Sequence, residues 1–302
     1  MNEKMKPLGF GEILDQTFRI IKSNFKPLFA ITFFIMIPIF ALQALILSLT
    51  GRNLVIGGEE RNDFFEQILS NTESITATTT FQDMTDLLLN MLVWIVIPVL
   101  AGAITWAVKY AREDKKIEAT DMIKKTFKRF WPLLGSSILI GIITFFLFIP
   151  IFIVLFIAFI VIFGMDINPV IGFFLGMFSI VAIFICIGLL VTRWSLYLPA
   201  VLFEKVAPGL GKSWHLTKKQ TWKFFGLIIV LSIISGIIST ILEIPLVFLG
   251  NSVLYQLLSN IITLISSIVF TVGYAVMYFD ATVRQEGSDL KEMIKDYDTQ
   301  GS

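Results

Sequence analysis

Six long apolar runs, at about residues 28–49, 87–108, 132–164, 170–192, 227–249 and 253–278, leave this chain few folds to choose from. In hydrocarbon every backbone N–H and C=O must be paired internally. A helix of roughly 20 mainly apolar residues meets that condition within itself. The runs therefore predict six transmembrane helices and an all-α, polytopic integral membrane protein. Composition agrees: the chain is 56% hydrophobic and 16% charged, with mean hydropathy +0.81. A soluble domain of this length could not hide so much apolar surface.

The third run has 33 residues, which at about 1.5 Å per residue reach about 50 Å, more than one straight crossing needs. Pro150 lies inside it, removing a backbone donor and clashing with the carbonyl of Phe146, so a kink is expected there. Splitting 132–192 into three short spans would send Arg193, Lys205, Lys212, Lys218, Lys219 and Lys223 to the far side of the membrane. Two spans keep them with the other cations.

Charge then orients the chain. On the six-span reading, 22 of the 24 Lys and Arg residues share one side. Lys4, Lys6, Arg19, Lys22 and Lys26 precede the first span, and Lys109, Arg112, Lys115, Lys116, Lys124, Lys125, Lys128 and Arg129 follow the second. The six named above follow the fourth, and Arg284, Lys291 and Lys295 close the chain. Only Arg52 and Arg61 lie opposite, in a loop at 51–86 that also holds seven carboxylates. Cytoplasmic segments carry the excess of Lys and Arg, which places both termini in the cytoplasm. Residues 1–290 read as one membrane domain and 291–302 as a polar cytoplasmic tail.

The inner cations are also patterned. Three cytoplasmic amphipathic stretches each run into a pair of spans, predicting three hairpins led by interfacial helices. Leu14, Phe18, Ile21 and Phe25 form the first stripe, opposite Asp15, Arg19, Lys22 and Lys26. Ile123, Phe127 and Phe130 form the second, and Leu210, Trp214 and Trp222 a looser third. Short texts match: Thr17-Phe18-Arg19, Thr126-Phe127-Lys128 and Ser213-Trp214-His215, then Phe25-Lys26, Phe130-Trp131 and Trp222-Lys223. Such stretches suit anionic headgroups, although independent selection of aromatic and basic residues at each membrane boundary would look similar.

Several function classes fall away. Cys186 is the single cysteine and His215 the single histidine, so no intramolecular disulfide, cysteine cluster or multi-histidine metal site can form. The segment 1–27 lacks the apolar stretch and cleavage site of a signal peptide. No P-loop, dinucleotide fingerprint or serine elbow appears, and Gly209-Leu210-Gly211-Lys212 lacks Walker spacing. No metal or cofactor is expected. The basic segments adjoin the membrane, which fits lipid headgroups and not nucleic acid. Richness in Ile, Phe and Lys fits an AT-rich bacterial genome.

At the cytoplasmic end of the fourth span the text becomes distinctive. Arg193-Trp194-Ser195-Leu196-Tyr197-Leu198-Pro199-Ala200-Val201 leads to Glu204, Lys212-Ser213-Trp214, Leu216-Thr217-Lys218 and Trp222. Tyr278-Phe279-Asp280, Arg284, Glu286-Gly287 and Asp289-Leu290 follow the last span, and Leu8-Gly9-Phe10-Gly11-Glu12-Ile13-Leu14-Asp15 opens the chain. Together these resemble the bacterial membrane domain sometimes fused to glycerophosphodiester phosphodiesterases, and its stand-alone six-helix relatives. The resemblance spans most of the chain. It departs at Thr282, where that family commonly has a second arginine, leaving Arg284 alone. The phosphodiesterase activity, as the resemblance implies it, needs a soluble barrel with catalytic histidines and metal-binding carboxylates. This chain has neither, so the activity does not carry over.

Two groups of residues are candidate sites. Arg193, Glu204, Asp280 and Arg284 lie at the cytoplasmic membrane boundary, with Asp280 and Arg284 at an i, i+4 ion-pair spacing, and predict a charged cluster or ordinary local pairing and snorkelling. Glu243 is the carboxylate inside a predicted span and continues a small-residue face of Ser232, Gly236 and Thr240. It either serves proton coupling or transport, or reaches the outer headgroups beside Pro245. Ser259, Thr263, Ser267 and Thr271 repeat at four-residue intervals in the sixth span, a pattern for close helix packing or, alternatively, a polar lining. Gly172 and Gly176 add a second packing signal. The leading expectation is a non-enzymatic plasma-membrane protein, a lipid-interacting accessory or scaffold in bacterial envelope homeostasis or protection. A small transporter or lipid-moving protein using the Glu243 face comes second, and a membrane-embedded lipid-modifying enzyme third. A membrane-protein partner or a homo-oligomer stays open.

Overall fold

The structure, a computed structural model, describes residues 7–49, 80–164, 169–249 and 252–300. Lys4, Lys6, most of the predicted 51–86 loop with Arg52 and Arg61, and the connections at 165–168 and 250–251 lie outside these residues, as do the side chains of Lys291 and Lys295. All the elements described are helical. In chain order they are α1 (Phe10–Leu49), α2 (Thr80–Arg112), α3 (Ala119–Phe127), α4 (Phe130–Gly164), α5 (Pro169–Trp194), α6 (Tyr197–Phe203), α7 (Leu210–Thr217), α8 (Thr221–Glu243) and α9 (Val253–Gln300). A 3₁₀ turn, Ile244–Leu249, follows α8. Among the described residues, six helices are long and apolar enough to cross a membrane: α1, α2, α4, α5, α8 and α9.

Their bounds differ from the apolar runs for local reasons. α1 absorbs the first amphipathic stretch, and its helical dihedrals break at Asn24 (φ −128°, ψ 27°). Pro27, just beyond, suits the first turn of a new helix. The carbonyls freed at the break are met by side chains: Asn24 Nδ2 donates to Ile20 O (3.2 Å) and Ser23 Oγ to Arg19 O (2.9 Å). α4 runs as one 35-residue helix through Pro150. The proline removes one donor but does not divide the span. α9 continues through the sequence expected to be a polar tail, to Gln300.

The chain forms two compact units, Met1–Lys128 with Ile229–Asp280 and Arg129–Ile228 with Ala281–Ser302. In the first, α9 is the central helix. Ala275, Val276, Met277 and Tyr278 are buried there, and Gly273 lies so close to Leu231 that an added Cβ would sit 2.5 Å from its Cδ1. In the second, α6 is packed tightly, with Leu198 to Leu202 all buried. Arg129 Nη1 donates to Val201 O (2.8 Å), meeting a carbonyl near the end of α6, and the Ser137 and Tyr197 hydroxyls bond at 2.9 Å. Gly209 has φ +74°, and a Cβ there would lie 2.8 Å from Tyr197 O, so the start of α7 requires glycine.

The three matching texts occupy matching environments. Thr17, Thr126 and Ser213 are fully buried, while Phe18, Phe127 and Trp214 are 41%, 53% and 38% exposed. Thr17 and Thr126 each donate to the carbonyl four residues back, Ile13 O at 2.7 Å and Met122 O at 3.0 Å. Each short amphipathic segment then meets a break before a long apolar helix: at Asn24, between α3 and α4, and between α7 and α8. In α1 the buried face is Ile13, Thr17 and Ile20, whereas the expected apolar stripe is half-buried at Leu14 and Ile21 and exposed at Phe18 and Phe25. In the third stretch the break separates Trp214, on α7, from Trp222, on α8.

Candidate functional site

In the second unit, the last turns of α5, the α7–α8 turn and Arg284 on α9 surround a cavity of about 760 Å³. Its floor is apolar, with Cys186, Leu189 and Leu190 on consecutive turns of α5. Above them stand Arg193, Lys218, Lys219, Lys223 and Arg284, with the indoles of Trp214 and Trp222.

Backbone capping builds this arrangement. The Arg193 carbonyl, at the open end of α5, accepts Ser213 Oγ (2.8 Å) and Thr217 Oγ1 (3.3 Å) from α7. Ser213 Oγ in turn accepts the Leu196 N–H at 3.0 Å. A single buried hydroxyl therefore links three segments. It also brings the Trp214 ring beneath the Arg193 guanidinium, 4.4 Å from its centroid, with Trp194 beside it at 6.4 Å. Stacking holds the guanidinium plane by its face and uses none of its N–H donors. Arg193 also sits in the last turn of α5, where the helix dipole favours a cation.

Among the described residues, five cations and no carboxylate line the cavity. Such a group repels itself and attracts an anion. Gln220 adds a second feature, because its Oε1 is buried without a hydrogen-bond partner. An orphaned acceptor of this kind costs roughly 1–3 kcal/mol, which a ligand hydroxyl would relieve. The lining holds donors and an apolar floor but no nucleophile paired with a base, and the described residues contain no group of His, Cys, Asp and Glu that could hold a metal ion. The arrangement is suited to holding an amphiphilic anion.

The four predicted boundary charges have distinct places. Arg193 and Arg284 line this cavity. Glu204, in the same unit, pairs with Lys212 at 3.0 Å. Asp280 belongs to the first unit, where it is buried, accepts the Leu8 N–H at 2.7 Å and lies in the field of Arg112, whose guanidinium stands 5.1 Å from the Phe279 ring centre. Asp280 thus ties the N-terminal segment to α9.

Glu243 ends α8. Its Oε1 accepts Ser239 Oγ at 3.1 Å and lies 3.5 Å from Ser259 Oγ on α9. The face it continues, Ser232, Gly236 and Thr240, is exposed. Ser259 therefore faces Glu243, while Thr263, Ser267 and Thr271 line a separate cavity of about 520 Å³ in the first unit. Gln43, Gln256 and Asn260 line that cavity as well, and sequence reasoning passed over them. The available signal was three amides inside otherwise apolar runs, two of them at i, i+4. Lys218, Lys219 and Lys223 were visible as an interfacial stretch, but not as one wall of a pocket with Arg284.

No family model matches the chain, and neither the curated proteins nor the solved structures compared with it contain a match.

Proposed function

We propose that this chain is a multi-pass protein of a bacterial plasma membrane that holds an anionic phospholipid of the cytoplasmic leaflet, acting as a non-enzymatic accessory or scaffold in envelope homeostasis or protection. On this reading both termini are cytoplasmic, and three hairpins are each led by an interfacial helix. The observation that carries it is the cavity where five cations meet an apolar floor. A phosphodiester would take charge-assisted bonds from Arg193 and Arg284 while its chains follow Leu189 and Leu190. The orphaned Gln220 oxygen favours a hydroxyl-bearing headgroup such as that of phosphatidylglycerol. The one-sided distribution of 22 among 24 cations supports the same orientation.

The test is lipid retention. Full-length protein extracted from bacterial membranes is analysed by mass spectrometry for bound phosphatidylglycerol, beside the double variant Arg193→Glu/Arg284→Glu. The variant should retain at least about tenfold less, a change of about 1.4 kcal/mol. Lys116→Glu, at an exposed site paired with Glu118, should retain as much as the parent. Equal retention by the double variant would end the proposal. A lipid-moving role that uses the Glu243 face is the second reading, favoured by the Glu243 carboxylate set among the Ser239 and Ser259 hydroxyls. Loss of transbilayer lipid exchange in liposomes on Glu243→Gln would promote it.

A further inference from the structure

The cavity of the first unit has the opposite chemistry. About 520 Å³ in volume, it lies among α1, α2 and α9 and has no charged residue among the described residues of its lining. That volume falls in the range of small-molecule sites, about 300–1,000 Å³. An anionic headgroup would find no cation here, and an ammonium would find no carboxylate.

The polar groups present are three amides and three hydroxyls. The hydroxyl protons are already used on their own helix: Thr263 donates to Ser259 O (3.0 Å), Ser267 to Leu264 O (2.8 Å) and Thr271 to Ser267 O (2.7 Å). The amides form a chain, Gln256 Nε2 to Asn260 Oδ1 (3.3 Å) and Asn260 Nδ2 to Gln43 Oε1 (2.9 Å). Three amides offer six N–H donors, and these two bonds use two of them. Spare donors are therefore concentrated at the amide end of the slot. From Asn260 to Thr271, eleven residues of α9 at about 1.5 Å each, the slot follows the helix for about 16 Å. Beyond the amides its walls are apolar, with hydroxyls that have no proton to give.

We infer that this slot is a binding site for an uncharged glycerolipid, a diacylglycerol or a glycosyl diacylglycerol. Its hydroxyls and ester carbonyls meet the amides of Gln43, Gln256 and Asn260, and an acyl chain runs along α9. Hydroxyls both accept from the spare amide N–H groups and donate to amide oxygens, and in hydrocarbon unmet amides are costly. The slot is a different site from the basic cavity and does not depend on how that cavity is read.

Full-length protein in phosphatidylcholine nanodiscs, exposed to a photoactivatable diacylglycerol, should be labelled in peptides covering 36–43, 93–101 or 256–271. Unlabelled diacylglycerol should compete, whereas phosphatidylglycerol and free glycerol should not. Gln43→Leu/Asn260→Leu removes the amide chain at similar volume and should lower labelling at least tenfold. Ala101→Phe fills the slot from α2, keeps every amide, and should do the same, so it decides the matter if the double variant does not fold. Phosphatidylglycerol retention, measured on the same samples, should not change. Labelling that survives both variants, maps elsewhere or yields equally to phosphatidylglycerol would overturn the inference. Competition by glycerol alone would replace the lipid with a free polyol and also overturn it.

Discussion

The two units use apolar sequence in opposite ways. In the first, the spanning window of α9 has mean hydropathy 1.9 and is 72% buried; in the second, those of α4 and α5 reach 2.8 and are 0% buried. The most apolar helices are the least covered by protein. In water that order would be reversed. In a bilayer, lipid tails are as apolar as leucine, so burial goes to helices offering close approach and hydrogen bonds. α9 supplies both, with Gly273 against Leu231 and Asn260 bonded to Gln43. The Phe-rich faces of α4 offer neither.

The sharpest break in this contrast would come from Asp280. A buried carboxylate that anchors Leu8 and faces Arg112 leaves both uncompensated when removed. Asp280→Leu should destabilise the protein by about 3–5 kcal/mol, seen as a loss of folded material in detergent titrations followed by tryptophan fluorescence. Next is Gly273→Val, which drives a side chain into Leu231 and should cost about 1–3 kcal/mol in the same titration.

A smaller effect tests the water-facing part of the first unit. Lys125 is raised above the ordinary lysine value by its bonds to Asp121 (2.7 Å) and to the Tyr110 hydroxyl. A raised cation stabilises fully below its unfolded value and loses that contribution as pH climbs through the folded one. Parent and Lys125→Met should therefore differ by about 0.3–0.5 kcal/mol at neutral pH, and the difference should begin to fall near the ordinary lysine value of about 10.4 and vanish only above the raised folded one. Smallest of all, Phe152→Leu on the exposed face of α4 should change stability by less than about 0.5 kcal/mol. A large loss there would show that α4 is covered by protein.

Much of this architecture could be read from the chain because span length and backbone pairing dictate it. Five of the six apolar runs lie within a single α-helix, 227–249 runs from α8 into the 3₁₀ turn after it, and the Thr17, Thr126 and Ser213 texts mark equivalent buried positions. Periodicity is less informative about surroundings. It detects the Leu14/Phe18/Ile21/Phe25 stripe but not that Ile13, Thr17 and Ile20 take the protein-facing side, because both faces carry apolar residues. At the sites, Arg193 and Arg284 stood out as boundary cations. Gln43 and Asn260 did not, since 217 positions separate two partners whose amides each look incidental. Pairing across such a distance is a tertiary fact. At Pro150 the sequence marks a missing donor, and the 35-residue helix runs through it without a break.

The length of α4 carries a consequence for the surrounding lipid. Its 35 residues extend about 52 Å, against a hydrocarbon thickness of about 30 Å. A helix of that length is accommodated by leaning, by bending, by extending into the headgroup region or by drawing the bilayer thicker, at fractions of a kcal/mol per ångström of mismatch. Membrane thickness is thereby set against a fixed length of apolar helix, so lipids of longer chain should reduce the mismatch and lipids of shorter chain increase it.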